Sequence, residues 1–116
     1  MKKVFITGIT GMVGSHLLDY LIKKTNWEIH GLVRWRSSLE NIEEHSGRIN
    51  EKKRIFLHYG DIRDYQSLIP PIKKTKPNYL FHLAAQSYPL TSFTSPTDTY
   101  ETNIIGTHNI LEAIKE

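Results

Sequence analysis

Three glycines stand at intervals of three near the amino terminus: Gly8, Gly11 and Gly14, in "ITGITGMVGSHL". They separate a short β-branched, apolar run, "KVFIT" (Lys3–Thr7), from a stretch where Val13, Leu17, Leu18, Leu21 and Ile22 recur at helical spacing. A strand that stops at a glycine and passes into a helix is the setting in which such a loop holds a phosphate. Without Cβ atoms the chain can turn sharply at Gly8, approach a ligand at Gly11 and pack helix on strand at Gly14. The first-turn N–H groups lack partners inside the helix. With Thr10, Met12 and Val13 in the same cradle, they would face a pyrophosphate, aided by the helix dipole. A flexible turn that holds nothing is the alternative, and three glycines in seven residues make it a costly one. A Walker-type loop is excluded, because Ser15-His16 follows Gly14 where that loop needs a lysine.

The second cluster of chemistry lies after the next apolar run, in "GLVRWRSS". A dinucleotide-binding unit that takes NAD typically ends its second strand with Asp or Glu, which accepts hydrogen bonds from the ribose hydroxyls. Here no carboxylate occurs before Glu40, while Arg34 and Arg36 flank Trp35, and Ser37 and Ser38 follow. A guanidinium pairs bidentately with a phosphate and stacks on adenine, so this pattern favours NADP over NAD. Arg36 fits a solvent-facing cation equally well. Asp61 follows Gly60 at the end of "RIFLHYGD", where ligands bind in open parallel sheets. It could instead cap the next helix, a role for which Asp64 is better placed. In "HLAAQS", Ala84 and Ala85, next to Leu83, are small enough for a ligand to come close. Gln86, Ser87 and Tyr88 stand where they could meet a ribose or a sugar.

These residues need a scaffold, and the hydrophobic pattern supplies one. Lys3–Thr7, Glu28–Arg34, Arg54–Asp61 and Asn78–Ala85 form strand-like runs. Helical patterns fill Met12 to about Lys24, Tyr65–Lys74 and about Thr97 to Lys115, the last with Ile104, Ile105, Leu111 and Ile114 on one stripe. Trp35 to Lys53 is the least regular stretch, with a weak helical pattern around Leu39–Ile42. Strand and helix alternating through short connections imply right-handed crossovers and a parallel sheet covered on both faces. The expectation is a single α/β domain over residues 1–116: a Rossmann-type sheet of four strands in the order 3-2-1-4.

The motifs resemble, in order and over essentially the whole chain, the extended short-chain dehydrogenase/reductase family: T-G-x-x-G-x-x-G, "GDIRD" (Gly60–Asp64), "HLAAQS" (His82–Ser87) and "TNIIGTHNILEAI" (Thr102–Ile114). Within it, "VRWRSS", "HYGDIRD" and "AAQSYPLTSFTSP" are most similar to the GDP-mannose 4,6-dehydratases. The resemblance implies that Arg34 meets the NADP 2′-phosphate. It also implies that Asp61 takes the adenine amino group with Ile62 against the ring, and that the end of the fourth strand lies beside the ribose and nicotinamide. In that family a hydride moves from sugar C4 to NADP, water is eliminated across C5–C6, and the hydride returns to C6, converting GDP-mannose to GDP-4-keto-6-deoxymannose. GDP-4-keto-6-deoxy-sugar reductases, NAD-dependent nucleotide-sugar epimerases or dehydratases, and a non-catalytic dinucleotide-binding module are the competing readings. The working Tyr-x-x-x-Lys pair of such enzymes comes after a further strand, and the resemblance therefore implies an N-terminal part without the catalytic and sugar-binding regions. The one such spacing here, Tyr20 to Lys24, falls on the first helix, away from where a nicotinamide would sit. The fourth strand would be a bare edge, which invites pairing with a second copy.

Composition excludes other chemistries. There are no cysteines, hence no disulfide framework, zinc knuckle or thiol nucleophile. The six histidines, His16, His30, His45, His58, His82 and His108, are dispersed without metal-ligand spacing. No G-x-S-x-G occurs. Fifteen Lys and Arg against twelve Asp and Glu are scattered, which gives nucleic-acid binding little support. No run approaches the ~20 apolar residues of a membrane span, nor does the N-terminus carry a signal-type apolar core. A soluble, cytoplasmic protein is expected.

Overall fold

The computed structural model describes residues 2–34, 39–45, 54–84, 97 and 101–115. Strands β1 (Lys3–Thr7), β2 (Glu28–Val33), β3 (Ile55–Tyr59) and β4 (Tyr79–His82) alternate with helices α1 (Met12–Lys24), α2 (Tyr65–Thr75) and α3 (Gly106–Lys115). All strand pairs are parallel, and the four strands lie in the order β3-β2-β1-β4. The architecture is the Rossmann-type one that the alternation of patterns implies. The weak pattern near Leu39–Ile42 forms a short 3₁₀ segment, Glu40–His45, whose Ile42 is buried in the core.

Alternation along each strand sorts the core into two layers. On one face Val4, Ile6, Ile29, Val33 and Ile55 meet Leu18 and Leu21 of α1; on the other, Phe5 and Leu32 meet Leu68 and Ile72 of α2 and Ile110 and Ala113 of α3. Helices therefore cover both faces. The last helix departs from expectation in two respects. Its regular α-helical part begins at Gly106, after a wider π-type turn over Glu101–Ile105. Its buried face carries Gly106, Asn109, Ile110 and Ala113, whereas Ile104, Ile105, Leu111 and Ile114 are exposed. Small residues decide which face goes in: a Cβ on Gly106 would lie 2.7 Å from Ile62 Cδ1, so the helix sits closer to the sheet than a larger residue permits.

Two polar devices join the layers. Arg54, which opens the third strand-like run, donates to the carbonyls of Leu21, Ile22, Thr25 and Trp27. It thus satisfies backbone acceptors that the end of α1 leaves open. On the α2 face, His30 Nε2–H donates to Glu28 Oε1 at 2.7 Å, and His58 Nε2 lies 2.8 Å from His30 Nδ1. That arrangement holds with both imidazoles neutral, His58 donating to His30. Burial lowers the pKa of His30 below its ordinary value despite Glu28, and lowers that of His58 too, with the charges of His30 and Lys74 adding to the effect.

The consequence for stability has a definite sign. The unfolded chain binds protons near pH 6.5 that the folded chain resists, so stability is full above that pH and is lost as pH falls through it. Each excess proton contributes about 1.4 kcal/mol per pH unit. Thermal melts between pH 7.5 and 5.5 should show Tm falling with acid. The double variant His30→Gln/His58→Gln should flatten that slope; a slope as steep as the wild type's would refute the assignment.

Candidate functional site

Because the strands are parallel, their C-terminal ends form one edge of the sheet, and the chain leaves that edge at Gly8, Arg34, Gly60-Asp61 and Leu83-Ala84. Gly8 adopts φ +75, the left-handed region where a side chain is strained, and turns the backbone out of β1. Gly11 N–H donates to Gly8 O at 3.0 Å, closing the turn, and Gly11 then serves as N-cap of α1 with no side chain capping it. The first turn carries no acidic residue. The N–H groups of that turn, next to exposed Met12 and Val13, lie at the positive end of the helix dipole.

The glycines differ in their surroundings. A Cβ on Gly14 would lie 2.0 Å from Gly8 O, and one on Gly8 would lie 2.8 Å from Ala84 N and Leu83 C. A Cβ on Gly11 would meet only Gly8 O, at 3.3 Å, with solvent beyond. Gly8 and Gly14 are therefore required by the packing of the loop itself, and Gly11 is the one open to a ligand.

Opposite the loop, Leu83 and Ala84 are fixed by Thr7. Its buried hydroxyl accepts from Leu83 N–H at 3.0 Å and Ala84 N–H at 3.1 Å. It donates to His82 Nδ1 at 2.7 Å. His82 Nε2–H reaches Thr107 Oγ1 at 3.1 Å, and that hydroxyl donates to Asn103 O. The chain of donors is consistent only with a neutral imidazole, in keeping with the burial that lowers the pKa of His82. None of this network was visible in the sequence beyond the placement of His82 in a strand.

On the β3 side a cleft of about 540 Å³ is lined by Arg34, Tyr59, Gly60, Asp61, Arg63 and Asp64. It is within the range of small-molecule sites. Asp61 accepts from Arg63 Nη2 at 2.8 Å, from Nε at 3.2 Å and from Arg63 N–H at 3.0 Å. Burial acts to raise the pKa of Asp61, but the Arg63 hydrogen bonds and the charges of Arg63 and Arg34 hold it below the usual carboxylate range. Ser67 Oγ accepts from Asp61 N–H at 3.0 Å and donates to Asp64 O, fixing the loop backbone. Asp64 is the N-cap of α2 by position, without a side-chain capping bond. The Ile62 side chain is buried against Gly106 in the core. Arg63 and Ser67 were missed as site residues, although both lie in or just after "GDIRD". Arg36, Ala85, Gln86, Ser87 and Tyr88 lie outside the described residues.

Glycine turn, open helix start and charged cleft thus share one edge. The family model for GDP-mannose 4,6-dehydratases matches residues 5–116. The chain belongs to the GDP-mannose 4,6-dehydratase family. The GDP-mannose 4,6-dehydratase of Yersinia enterocolitica is 38% identical over 120 residues, which cover 99% of this chain and 32% of that protein. The Drosophila melanogaster enzyme is 40% identical over 118 residues, covering 98% of this chain and 30% of that one. This member of the dehydratase family therefore spans about a third of the length of the relatives it matches. Among solved structures, the Bordetella bronchiseptica enzyme WbmH in complex with NAD⁺ aligns with TM-score 0.78 at 27% identity, over 99% of this chain and 35% of that one. The Campylobacter jejuni UDP-Glc/GlcNAc 4-epimerase aligns with TM-score 0.82 at 26% identity, over 97% and 33%. The dehydratase-family chain so shares its fold with nucleotide-sugar epimerases. Among its described residues no helix is long and apolar enough to cross a membrane, and no group of three or more metal-ligating side chains gathers.

Proposed function

We propose that this chain binds NADP and supplies the cofactor-holding part of a GDP-mannose 4,6-dehydratase. The observation that carries the NADP reading is Arg34. It leaves β2 at the position where an NAD-binding domain presents a carboxylate, and it lines the charged cleft. Gly8, Gly11 and Gly14 with Thr10, Met12 and Val13 would hold the pyrophosphate, Arg34 and Arg36 the 2′-phosphate, and Asp61-Ile62 the adenine. Leu83, Ala84, Ala85 and Ser87 would flank the ribose and nicotinamide. The nicotinamide, when bound, accepts and returns a hydride; the residues here bind and orient it. Tyr20 is exposed on α1 rather than at the strand ends, and it has no part in the chemistry. The chain is proposed to act on a nucleotide sugar only together with the catalytic region of its longer relatives, and to be cytoplasmic.

Titrating the chain with NADP⁺ and NAD⁺ tests this reading. Arg34→Ala should weaken NADP⁺ roughly tenfold to hundredfold, as expected for a lost charged hydrogen bond of about 1.5–3 kcal/mol. Its NAD⁺ affinity should stay within about twofold of the wild type. An NADP preference that survives the substitution rejects the Arg34 assignment. Turnover of GDP-mannose by the chain alone would reject the view that it only binds.

A further inference from the structure

The carboxylate proposed to read the adenine amino group does not stand free in the cleft; a guanidinium from the same loop already holds it. Arg63 places Nε and Nη2 on Asp61 and adds its backbone N–H, so three donors meet the two carboxylate oxygens. A carboxylate offers about four lone-pair sites. The backbone N–H lies on Oδ1 at 3.0 Å, Nη2 lies on Oδ2 at 2.8 Å, and Nε is shared between the two oxygens at 3.2 Å from each. Three donors against about four lone-pair sites leave the carboxylate capacity for one further donor. Ser67 fixes the Asp61 backbone independently, so the remaining freedom is rotation of the carboxylate, and the Arg63 fork removes it.

We infer that Arg63 is a positioning residue for base recognition: it locks Asp61 in one rotamer, ionised, with one acceptor site left for an exocyclic amino group. The inference rests on the reading of Asp61 as the adenine acceptor. Its ligand class is a 6-aminopurine nucleotide; a 6-oxopurine, which presents a carbonyl where adenine presents an amine, meets an anion and is rejected. The ion pair is partly exposed, at 35% for Arg63 and 29% for Asp61, and pairs of that kind contribute little to folding. Its loss should therefore be felt at the site and not in stability. Among the described residues, the other charged or titratable groups lining the cleft are Arg34 from the end of β2, Tyr59 from the end of β3 and Asp64 from the start of α2. Among the described residues Arg34 and Arg63 favour the ionised carboxylate, so without Arg63 the burial of Asp61 is opposed, among them, by Arg34.

The test compares affinity for NADP⁺ with that for its hypoxanthine analogue, across pH, for wild type, Asp61→Asn, Arg63→Ala and Arg63→Lys. The wild type should prefer adenine about tenfold or more, down to the lowest pH at which it stays folded. Arg63→Ala should cut that preference to about threefold or less at neutral pH and lose the rest at a higher pH than the wild type does. Arg63→Lys, which keeps the charge without the fork, should restore the pH range but not the full preference. If the wild type shows no preference, or binds neither nucleotide, the Asp61 reading fails and this inference with it. If Asp61→Asn abolishes the preference while Arg63→Ala keeps both its size and its pH range, the role of Arg63 alone is overturned.

Discussion

Gly14→Ala should abolish dinucleotide binding and lower Tm by roughly 10 °C, within the range that one overpacked methyl produces in a domain this small. The added Cβ would sit 2.0 Å from Gly8 O and 2.8 Å from both Gly8 C and Ile9 Cα. All three atoms are backbone, so no rotamer change relieves the clash. Either the start of α1 withdraws from the loop or the turn at Gly8 opens. The first displaces Leu18 and Leu21 from the core, and the second breaks the Gly11 N–H to Gly8 O bond that shapes the cradle. Gly11→Ala is the control, because its Cβ meets a single carbonyl at 3.3 Å and needs a shift of only tenths of an ångström. It should leave Tm within a few degrees and still weaken NADP⁺ at least tenfold, since the methyl would point where the pyrophosphate is proposed to approach. Calorimetric melts with nucleotide titrations of both variants decide it. A Gly14→Ala chain that binds like the wild type would mean that the loop is not the cradle.

The contrast between these glycines shows where sequence reasoning works and where it stops. Spacing between a β-branched run and a helical pattern located the loop, and the alternation of strand and helix implied the Rossmann-type strand order, because both are carried by the apolar pattern along the chain. Which face of the last helix is buried did not follow. Periodicity marks a stripe but not its direction, and here the inward face is set by Gly106 and Ala113, which score poorly as apolar residues yet allow close approach. Arg54 read as one more scattered cation, since nothing local shows that the carbonyls closing α1 lie beside the start of β3. Arg63 was hidden for a related reason: a charge two residues from another is ordinary in a loop, and only the folded turn brings the guanidinium back onto Asp61.

Thr7→Val should cost roughly 2–4 kcal/mol, although the two side chains are nearly isosteric and no cavity opens. The hydroxyl is saturated in the fold, donating once to His82 Nδ1 and accepting from Leu83 and Ala84 N–H groups. Leu83 N–H keeps a second partner in Thr7 O at 3.1 Å, so the loss falls on Ala84 N–H and on the imidazole. A fully buried polar group stripped of its partner costs about 1–3 kcal/mol, and two half-buried groups at roughly 1–2 kcal/mol each account for the range. The effect should reach the site as well, because Ala84 and Leu83 are the backbone against which Gly8 is packed. Released from Thr7, that segment can move away from the glycine turn, and NADP⁺ affinity should fall with Tm. Thr7→Ser, which keeps the hydroxyl and loses only a methyl, should retain most of both. If valine and serine at this position lower Tm and affinity equally, the methyl and not the hydrogen-bond network is what Thr7 contributes. The reverse result fixes Thr7 as the residue that holds the end of β4 against the loop.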